Sequence, residues 1–244
     1  MQSCFEFEEL PSTNEWLKQH ALSLEHGSVC HALSQNQGRG RGGNNWVSKK
    51  GNLYCSLLIK PEKKLSLREA GLISFITSLA LYDVLEKEIS PQHEITLKWP
   101  NDILINKAKV SGILLETEQN SVDYADFIVV GFGVNVMHAP ELNDKKTICL
   151  NDVIKQENNI DLFHFRDLIT TKILAYFDLF LEKGFSFIRK IWVEKCLFID
   201  KEITIRTNYE TFKAVFKTID EDGNLIALLE DGSTQQVSSA EVFF

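Results

Sequence analysis

Residues 38–43 read GRGRGG, inside SQNQGRGRGGNNW at 34–46. Gly38, Gly40 and Gly43 satisfy G-x-G-x-x-G, and what that spelling means decides which folds are open to the chain. A dinucleotide fold needs a helix opening inside the run and an acidic residue roughly twenty positions later for the ribose. Here NNWVSKKGNLYCSLLIK follows, polar and glycine-interrupted and then strand-like, with no Asp or Glu before Glu62. The doubly wound dinucleotide fold is excluded on that context. A P-loop is excluded as well, because no Gly-Lys-Ser/Thr closes the run. Two readings remain: a loop whose bare amides and two guanidiniums, Arg39 and Arg41, close over an anion, or a flexible surface turn.

The arginines stand on an acidic background, with net charge −8 and pI about 5.3, so general attraction to nucleic acid or an anionic membrane is not expected. A chain of 244 residues with 44% hydrophobic content holds one large domain, or a medium and a small one, around a sizeable core. Cys4, Cys30, Cys55, Cys149 and Cys196 are scattered without a C-x-x-C, which predicts free thiols in a reducing compartment. The histidines lack metal-ligand spacing. The start, MQSCFEFEEL, lacks the basic and apolar regions of a secretory signal. No stretch approaches the roughly 18 apolar residues of a membrane span. The expectation is a cytoplasmic, soluble protein.

Periodicity predicts a first helix over 12–24, with a Ser/Thr cap and a capping-box-like Glu15. It predicts an amphipathic helix over 67–89 and another over 161–183, begun by Asp161 and stopped by Gly184. Strands are expected at 52–60, 94–99, 102–105, 112–116 and 126–136. From about residue 198 the chain alternates short β runs with turns at Asn208-Tyr209, Asp222-Gly223 and Asp231-Gly232. Roughly 45 residues in about five strands suggest a small closed or half-closed barrel that leans on the main domain.

Three further segments carry chemistry. In LKWPNDILI (97–105), Lys98 and Asp102 flank a Trp-Pro-Asn turn; the plain alternative is a hairpin with exposed charges. In KVSGILLE (109–116), Lys109 stands where a strand enters the core, a place often held by a merely solvated lysine. In VVGFGVNV (129–136), Gly131 and Gly133 interrupt a core strand, marking close approach by a ligand or backbone, or a bulge.

Taken in order, GRGRGG-x-x-W (38–46), KWPND (98–102), K-x-x-GIL-x-E (109–116) and G-x-G-V-N (131–135) resemble the motifs of biotin protein ligases, as do STN at 12–14 and the C-terminal β module. The similarity spans essentially the whole chain. It implies an α+β fold, a mixed sheet with flanking helices of the class II aminoacyl-tRNA synthetase and biotin ligase type over 1–197. An SH3-like β-barrel over 198–244 would follow. It implies an ATP-dependent ligase that makes biotinyl-5′-AMP and transfers biotin to a lysine of a biotin carboxyl carrier protein of acetyl-CoA carboxylase or a related carboxylase.

The same resemblance implies roles. Ser12, Thr13, Asn14, Gln35, Arg39, Gly40, Arg41 and Lys109 are expected to bind biotin. Arg39, Arg41, Trp46, Lys98, Asn101, Lys109 and Asn135 are expected to bind ATP and the adenylate, with Trp46 against adenine. Lys109, Arg41, Asp102 and Lys98 are the catalytic candidates, Asp102 orienting or deprotonating the incoming amine. The glycine-rich loop becomes a lid that shields the acyl-adenylate from water. Mg²⁺ is expected with ATP. Relatives that double as repressors carry an N-terminal helix-turn-helix, and this chain starts shortly before STN, so DNA binding is not expected. A homodimer through edge strands is possible within such a fold. The nearest rival is a lipoate or octanoate ligase, from which KWPND and the barrel distinguish the chain.

Overall fold

Two segments, LYCSLLI and FIVVGFGV, are buried along their whole lengths, so both faces of their strands must be covered. The computed structural model describes residues 3–62, 64–118, 123–141, 146–155, 160–207 and 209–243. Among these, the two segments form β3 (Leu53–Ile59) and β9 (Phe127–Val134), neighbours in the middle of a seven-stranded sheet. The other members are β1 (Cys4–Leu10), β2 (Val29–Gln35), β5 (Ile95–Lys98), β6 (Asp102–Ile105) and β7 (Ala108–Glu118). The order is β1-β2-β3-β9-β7-β6-β5; β1 and β2 run parallel and the remaining neighbours antiparallel. A two-residue pair, β4 (Leu65–Ser66) and β8 (Tyr124–Ala125), lies outside this sheet.

One sheet face packs against α2 (Leu67–Glu88), α3 (Leu162–Lys183) and α4 (Phe185–Glu194) in a continuous apolar core. The other face carries α1 (Thr13–His20), whose Leu17 packs on Cys30, Leu58, Phe127 and Val129. Helix α2 opens with a complete capping box between Ser66 and Glu69. Helix α3 opens with the Asp161 carboxylate accepting from Phe163 N at 2.9 Å and His164 N at 3.3 Å, and it ends at Gly184. The expected box on the first helix is only half formed. Ser12 Oγ accepts from Glu15 N at 3.4 Å, but the Glu15 carboxylate turns instead to Lys18 and Arg39. Two cations within reach outcompete one backbone amide.

The C-terminal segment forms a five-stranded antiparallel sheet in the order β13-β12-β11-β10-β14. Its strands are β10 (Glu202–Arg206), β11 (Thr211–Ile219), β12 (Leu225–Leu228), β13 (Thr234–Val237) and β14 (Glu241–Phe243). Of the expected turns, those at Asp222-Gly223 and Asp231-Gly232 are present, while Asn208 lies outside the described residues. The sheet is fastened to the main domain at one tip. Gly223, at φ 76°, lies against Phe75 and Leu72 of α2, and its carbonyl accepts from Trp99 Nε1 at 2.8 Å. Arg68 pairs with Asp222, and Arg189 Nη1 donates to Ile219 O at 3.2 Å. Trp99 is thereby fixed at the turn it shares with the cis-linked Pro100.

Strands β1 and β2 and helix α4 are elements beyond those the sequence reading placed. All five cysteines are free, four of them buried.

Two outcomes follow from this packing. A Cβ on Gly223 would sit 2.6 Å from Phe75 Cε2. Gly223→Ala should therefore lower stability by about 1–3 kcal/mol in urea unfolding; an unchanged midpoint would refute the fastening. Second, His31 is 1% exposed, and burial, aided by Arg166, pulls its pKa down from 6.5 to about 4. Between those values the unfolded chain binds the extra proton and the folded chain does not. Stability from this group is thus full above the unfolded value and falls as pH drops through the window, by up to about 3 kcal/mol. Urea melts at neutral and acid pH should show a smaller acid loss in His31→Gln than in the wild type.

Candidate active site

The cavity sits on the α1 face of the sheet, and its floor is made of glycine. In β9 and β7, Gly133 pairs with Gly112 and Gly131 pairs with Leu114, in unbroken register. A Cβ on Gly131 would lie 2.1 Å from Asn14 Oδ1, and one on Gly133 would lie 2.6 Å from Trp46 Nε1. A Cβ on Gly112 would meet both Lys109 Nζ, at 3.0 Å, and the Trp46 ring, at 3.1 Å. The glycines of G-x-G-V-N therefore admit side chains to the sheet surface rather than forming a bulge. Together these walls enclose about 710 Å³.

One end of the cavity is a neutral hydrogen-bonding wall. Asn14 Nδ2 donates to Glu116 Oε2 at 2.8 Å and to Leu114 O at 3.2 Å. Both partners only accept, which fixes the amide with Oδ1 facing Ser56 Oγ, 2.6 Å away. Ser56 Oγ also lies 2.7 Å from Thr13 Oγ1. Gln35 Oε1 takes Thr13 N at 2.8 Å, so its Nε2 points to Ser48 Oγ at 3.0 Å. Behind the wall, burial raises the Glu116 pKa, but Asn14, Lys18 and Arg39 together outweigh that and leave it below the ordinary carboxylate range.

The other end is charged. Lys109 Nζ lies 2.5 Å from Asp102 Oδ1 and 5.2 Å from the centre of the Trp46 ring. The β6–β7 pairing shifts register between Ile103 and Leu104, with Leu104 opposite Lys109 and Ile103 opposite Ser111. Lys98 and Asp102 are register partners across the 99–101 turn. Asn101 Nδ2 donates to Ile113 O at 2.5 Å, and Asn101 Oδ1 accepts from Arg41 Nη1 at 3.4 Å. Asn135 donates to the carbonyls of Lys109 and Ile148, at 3.4 and 3.3 Å, and so holds the start of the lysine strand.

The glycine-rich loop closes as a narrow hairpin: Trp46 N donates to Gly38 O at 2.9 Å and Gly40 N to Asn44 O at 2.7 Å. Its tip is a single 3₁₀ turn, Arg41–Gly43, with Gly42 at φ 64° and Gly43 at φ 79°, and the chain is extended again at Asn44. Arg39 Nη2 reaches Glu15 at 3.1 Å and Glu116 at 3.2 Å; these carboxylates outweigh partial desolvation and raise its pKa.

All of the expected site residues line this one cavity: Ser12, Thr13, Asn14, Gln35, Arg39, Gly40, Arg41, Trp46, Lys98, Asn101, Asp102, Lys109 and Asn135. Sequence reasoning missed Ser56, read as an ordinary buried strand residue, and gave no role to Glu116 or Lys18. It also missed the rim contributed by the C-terminal sheet, where Arg206 and Ser239–Val242 border the cavity. Arg206 pairs there with Glu241, and its guanidinium lies 4.7 Å from the Phe243 ring centre. No pattern within β10 marks that arginine as different from any exposed strand residue.

The Biotin/lipoate A/B protein ligase family matches residues 5–135, and the Biotin protein ligase C terminal domain matches residues 198–244. The chain is 33% identical over 236 residues to the biotin–[acetyl-CoA-carboxylase] ligase of Paracoccus denitrificans, covering 96% of this chain and 97% of the relative. It is 27% identical to the bifunctional ligase/repressor of Escherichia coli, covering 96% of this chain and 71% of that one. The structure of the biotin protein ligase from Aquifex aeolicus in complex with biotin and ATP superimposes with a TM-score of 0.80 at 27% identity, covering 99% of this chain and 98% of that one. This chain belongs to the biotin/lipoate A/B protein ligase family and, within it, resembles the biotin protein ligases from end to end.

Proposed function

We infer that this chain is an ATP-dependent biotin ligase, acting on a lysine of a biotin carboxyl carrier protein. The observation that carries the reading is one cavity with a urea-compatible wall at one end and an ammonium at the other, joined by a glycine floor. A cyclic urea has N–H donors and a carbonyl acceptor, and the wall of Thr13, Asn14 and Gln35, backed by Ser56, offers both kinds of partner. The apolar ring then lies over Gly131 and Gly133, which directs the valeryl carboxylate toward Lys109.

In the first step a carboxylate oxygen attacks the α-phosphorus of ATP, the bond to the bridging oxygen breaks, and pyrophosphate leaves. Carboxylate and triphosphate repel, so the step requires fixed cations where the charges meet; Lys109 and Arg41 supply them, with Lys98 beside the turn. Asp102 holds Lys109 in place until the anion arrives. In the second step the acceptor amine attacks the acyl carbon, AMP departs, and the amine proton passes to a base, for which Asp102 is the nearest carboxylate to Lys109. The 38–46 hairpin serves as the lid over the adenylate. Trp46 flanks the adenine, and Asn135 supports the nucleotide end.

Among the described residues no three or more His, Cys, Asp or Glu side chains gather into a metal site. Mg²⁺ is expected with ATP, where it would offset phosphate charge as the carboxylate attacks. We place the division between catalytic and C-terminal domains at 197/198. No helix among the described residues is long and apolar enough to cross a membrane. The free thiols favour a cytoplasmic setting and the net charge of −8 disfavours nucleic acid as a partner. The outer edge of β1 is where a second copy would pair.

Exchange of labelled pyrophosphate into ATP tests the reading directly. Biotin should support exchange, and exchange with lipoate alone would overturn it. Lys109→Ala should lower biotin-dependent exchange by about 10²-fold or more. Arg41→Gly should still make adenylate but release it, detected as free biotinyl-AMP; complete retention would refute the lid. Gly131→Ala drives a methyl into Asn14 and should weaken biotin binding by about tenfold or more in calorimetry, about 1.4 kcal/mol.

A further inference from the structure

Glu116 stands outside the cavity, yet its carboxylate is the junction of the polar wall and the glycine-rich loop. Oε2 accepts from Asn14 Nδ2 at 2.8 Å, Oε1 accepts from Lys18 Nζ at 3.0 Å, and both oxygens face Arg39 Nη2 at 3.2 and 3.3 Å. From Asn14 the hydrogen bonds continue through Ser56, Thr13, Gln35 and Ser48 to the carbonyl of Trp46. The path starts at Arg39 and returns at Trp46, so it leaves one strand of the loop hairpin, crosses the wall and re-enters the other.

We propose that Glu116 is a positioning residue for biotin, acting through Asn14: it dictates which end of that amide faces the cavity and ties the wall to Arg39. This inference rests on the reading of biotin as ligand.

The physical argument is one of unequal partners. An asparagine amide can be turned end for end with little change in shape, so only its neighbours decide which atom faces inward. Here Leu114 O alone would hold Nδ2 at 3.2 Å with an ordinary neutral bond. The carboxylate adds a shorter, charge-assisted bond, of roughly twice the strength. Without Glu116 a turned amide would offer two hydrogens where the wall now offers an acceptor, and Ser56 would lose the oxygen it donates to. Lys18, bonded to both Glu116 and Glu15, keeps the carboxylate compensated whether or not Arg39 stays. Arg39 can therefore leave for an anion without stranding a buried charge.

Substitutions at 116 separate the two duties. Glu116→Leu removes every acceptor; Glu116→Gln keeps an oxygen for Asn14 and abolishes the charge that holds Arg39. Calorimetry and steady-state exchange on the full chain should give a biotin Kd and KM raised about tenfold or more for Glu116→Leu. Its kcat at saturating biotin and its KM for ATP should stay within about threefold. Glu116→Gln should restore the biotin Kd to within about threefold of wild type. In an Asn14→Ala background, Glu116→Leu should add nothing further to the biotin Kd. The proposal is overturned if Glu116→Leu binds biotin as wild type does, if its loss persists in full on top of Asn14→Ala, or if kcat and both KM values move together.

Should Glu116→Leu fail to fold, the exchanged pair decides. Asn14→Asp faces Glu116 with a second carboxylate and should lose biotin binding, and adding Glu116→Gln should recover much of it; no recovery overturns the proposal. Wild-type protein that exchanges pyrophosphate with lipoate and ignores biotin overturns the functional reading itself, and the inference with it.

Discussion

The structure depends on one constraint: the middle of its sheet must be buried on both faces yet bare on one of them. Strands β3 and β9 are fully buried, so each face needs a cover. On the helix side α2, α3 and α4 supply it with ordinary apolar packing. On the other side Gly112, Gly131 and Gly133 withhold their side chains, and Asn14, Trp46 and Lys109 come down onto the backbone in their place. A glycine strand loses packing and conformational entropy. The contacts recruited from α1, the loop and β7 offset that loss, and they are the cavity walls.

That arrangement explains how distant segments make one site. The two cavity ends differ in how they are built. The neutral wall is held by one-way partners. A carboxylate and a carbonyl only accept from Asn14, and a backbone amide only donates to Gln35, so each side-chain amide has one permitted orientation. The charged end is held by the Lys109–Asp102 pair at the register shift between β6 and β7. Such a half-buried pair adds little net stability but keeps a cation where it is needed. The C-terminal sheet closes the rim because Trp99, in the turn next to Asp102, is bonded to Gly223. The 99–101 turn and the C-terminal sheet are thus tied together by the same hydrogen bond.

Much of this was legible in the sequence where a signal was local. The helices over 67–89 and 161–183 follow from long periodic stretches, and the glycine, lysine and WPN motifs each sit on one turn or strand. What escaped needed partners far away in the chain. Phe5 and Phe7 alternate with Glu6 and Glu8 in β1, but an edge strand with no fully buried residue and three glutamates in seven positions gives only a weak local signal. Helix α4 begins one residue after Gly184, so the stop signal of α3 masked the Phe185, Ile188, Trp192 spacing of the next helix. Glu15 satisfied the local capping rule and was drawn off by Arg39, 24 residues downstream. Glu116 and Ser56 gain meaning only once α1 is laid across β7 and β3.

The central claim is the direction in which a ligand lies across the glycine floor. A crystal structure of the chain grown with biotin and ATP measures it most directly. The bicyclic ring should rest over Gly131 and Gly133, with the ureido group bonded to Thr13 and Asn14 and the carboxylate or its adenylate at Lys109. Biotin reversed, with its carboxylate on the Asn14 wall, or bound outside this cavity, would contradict the account.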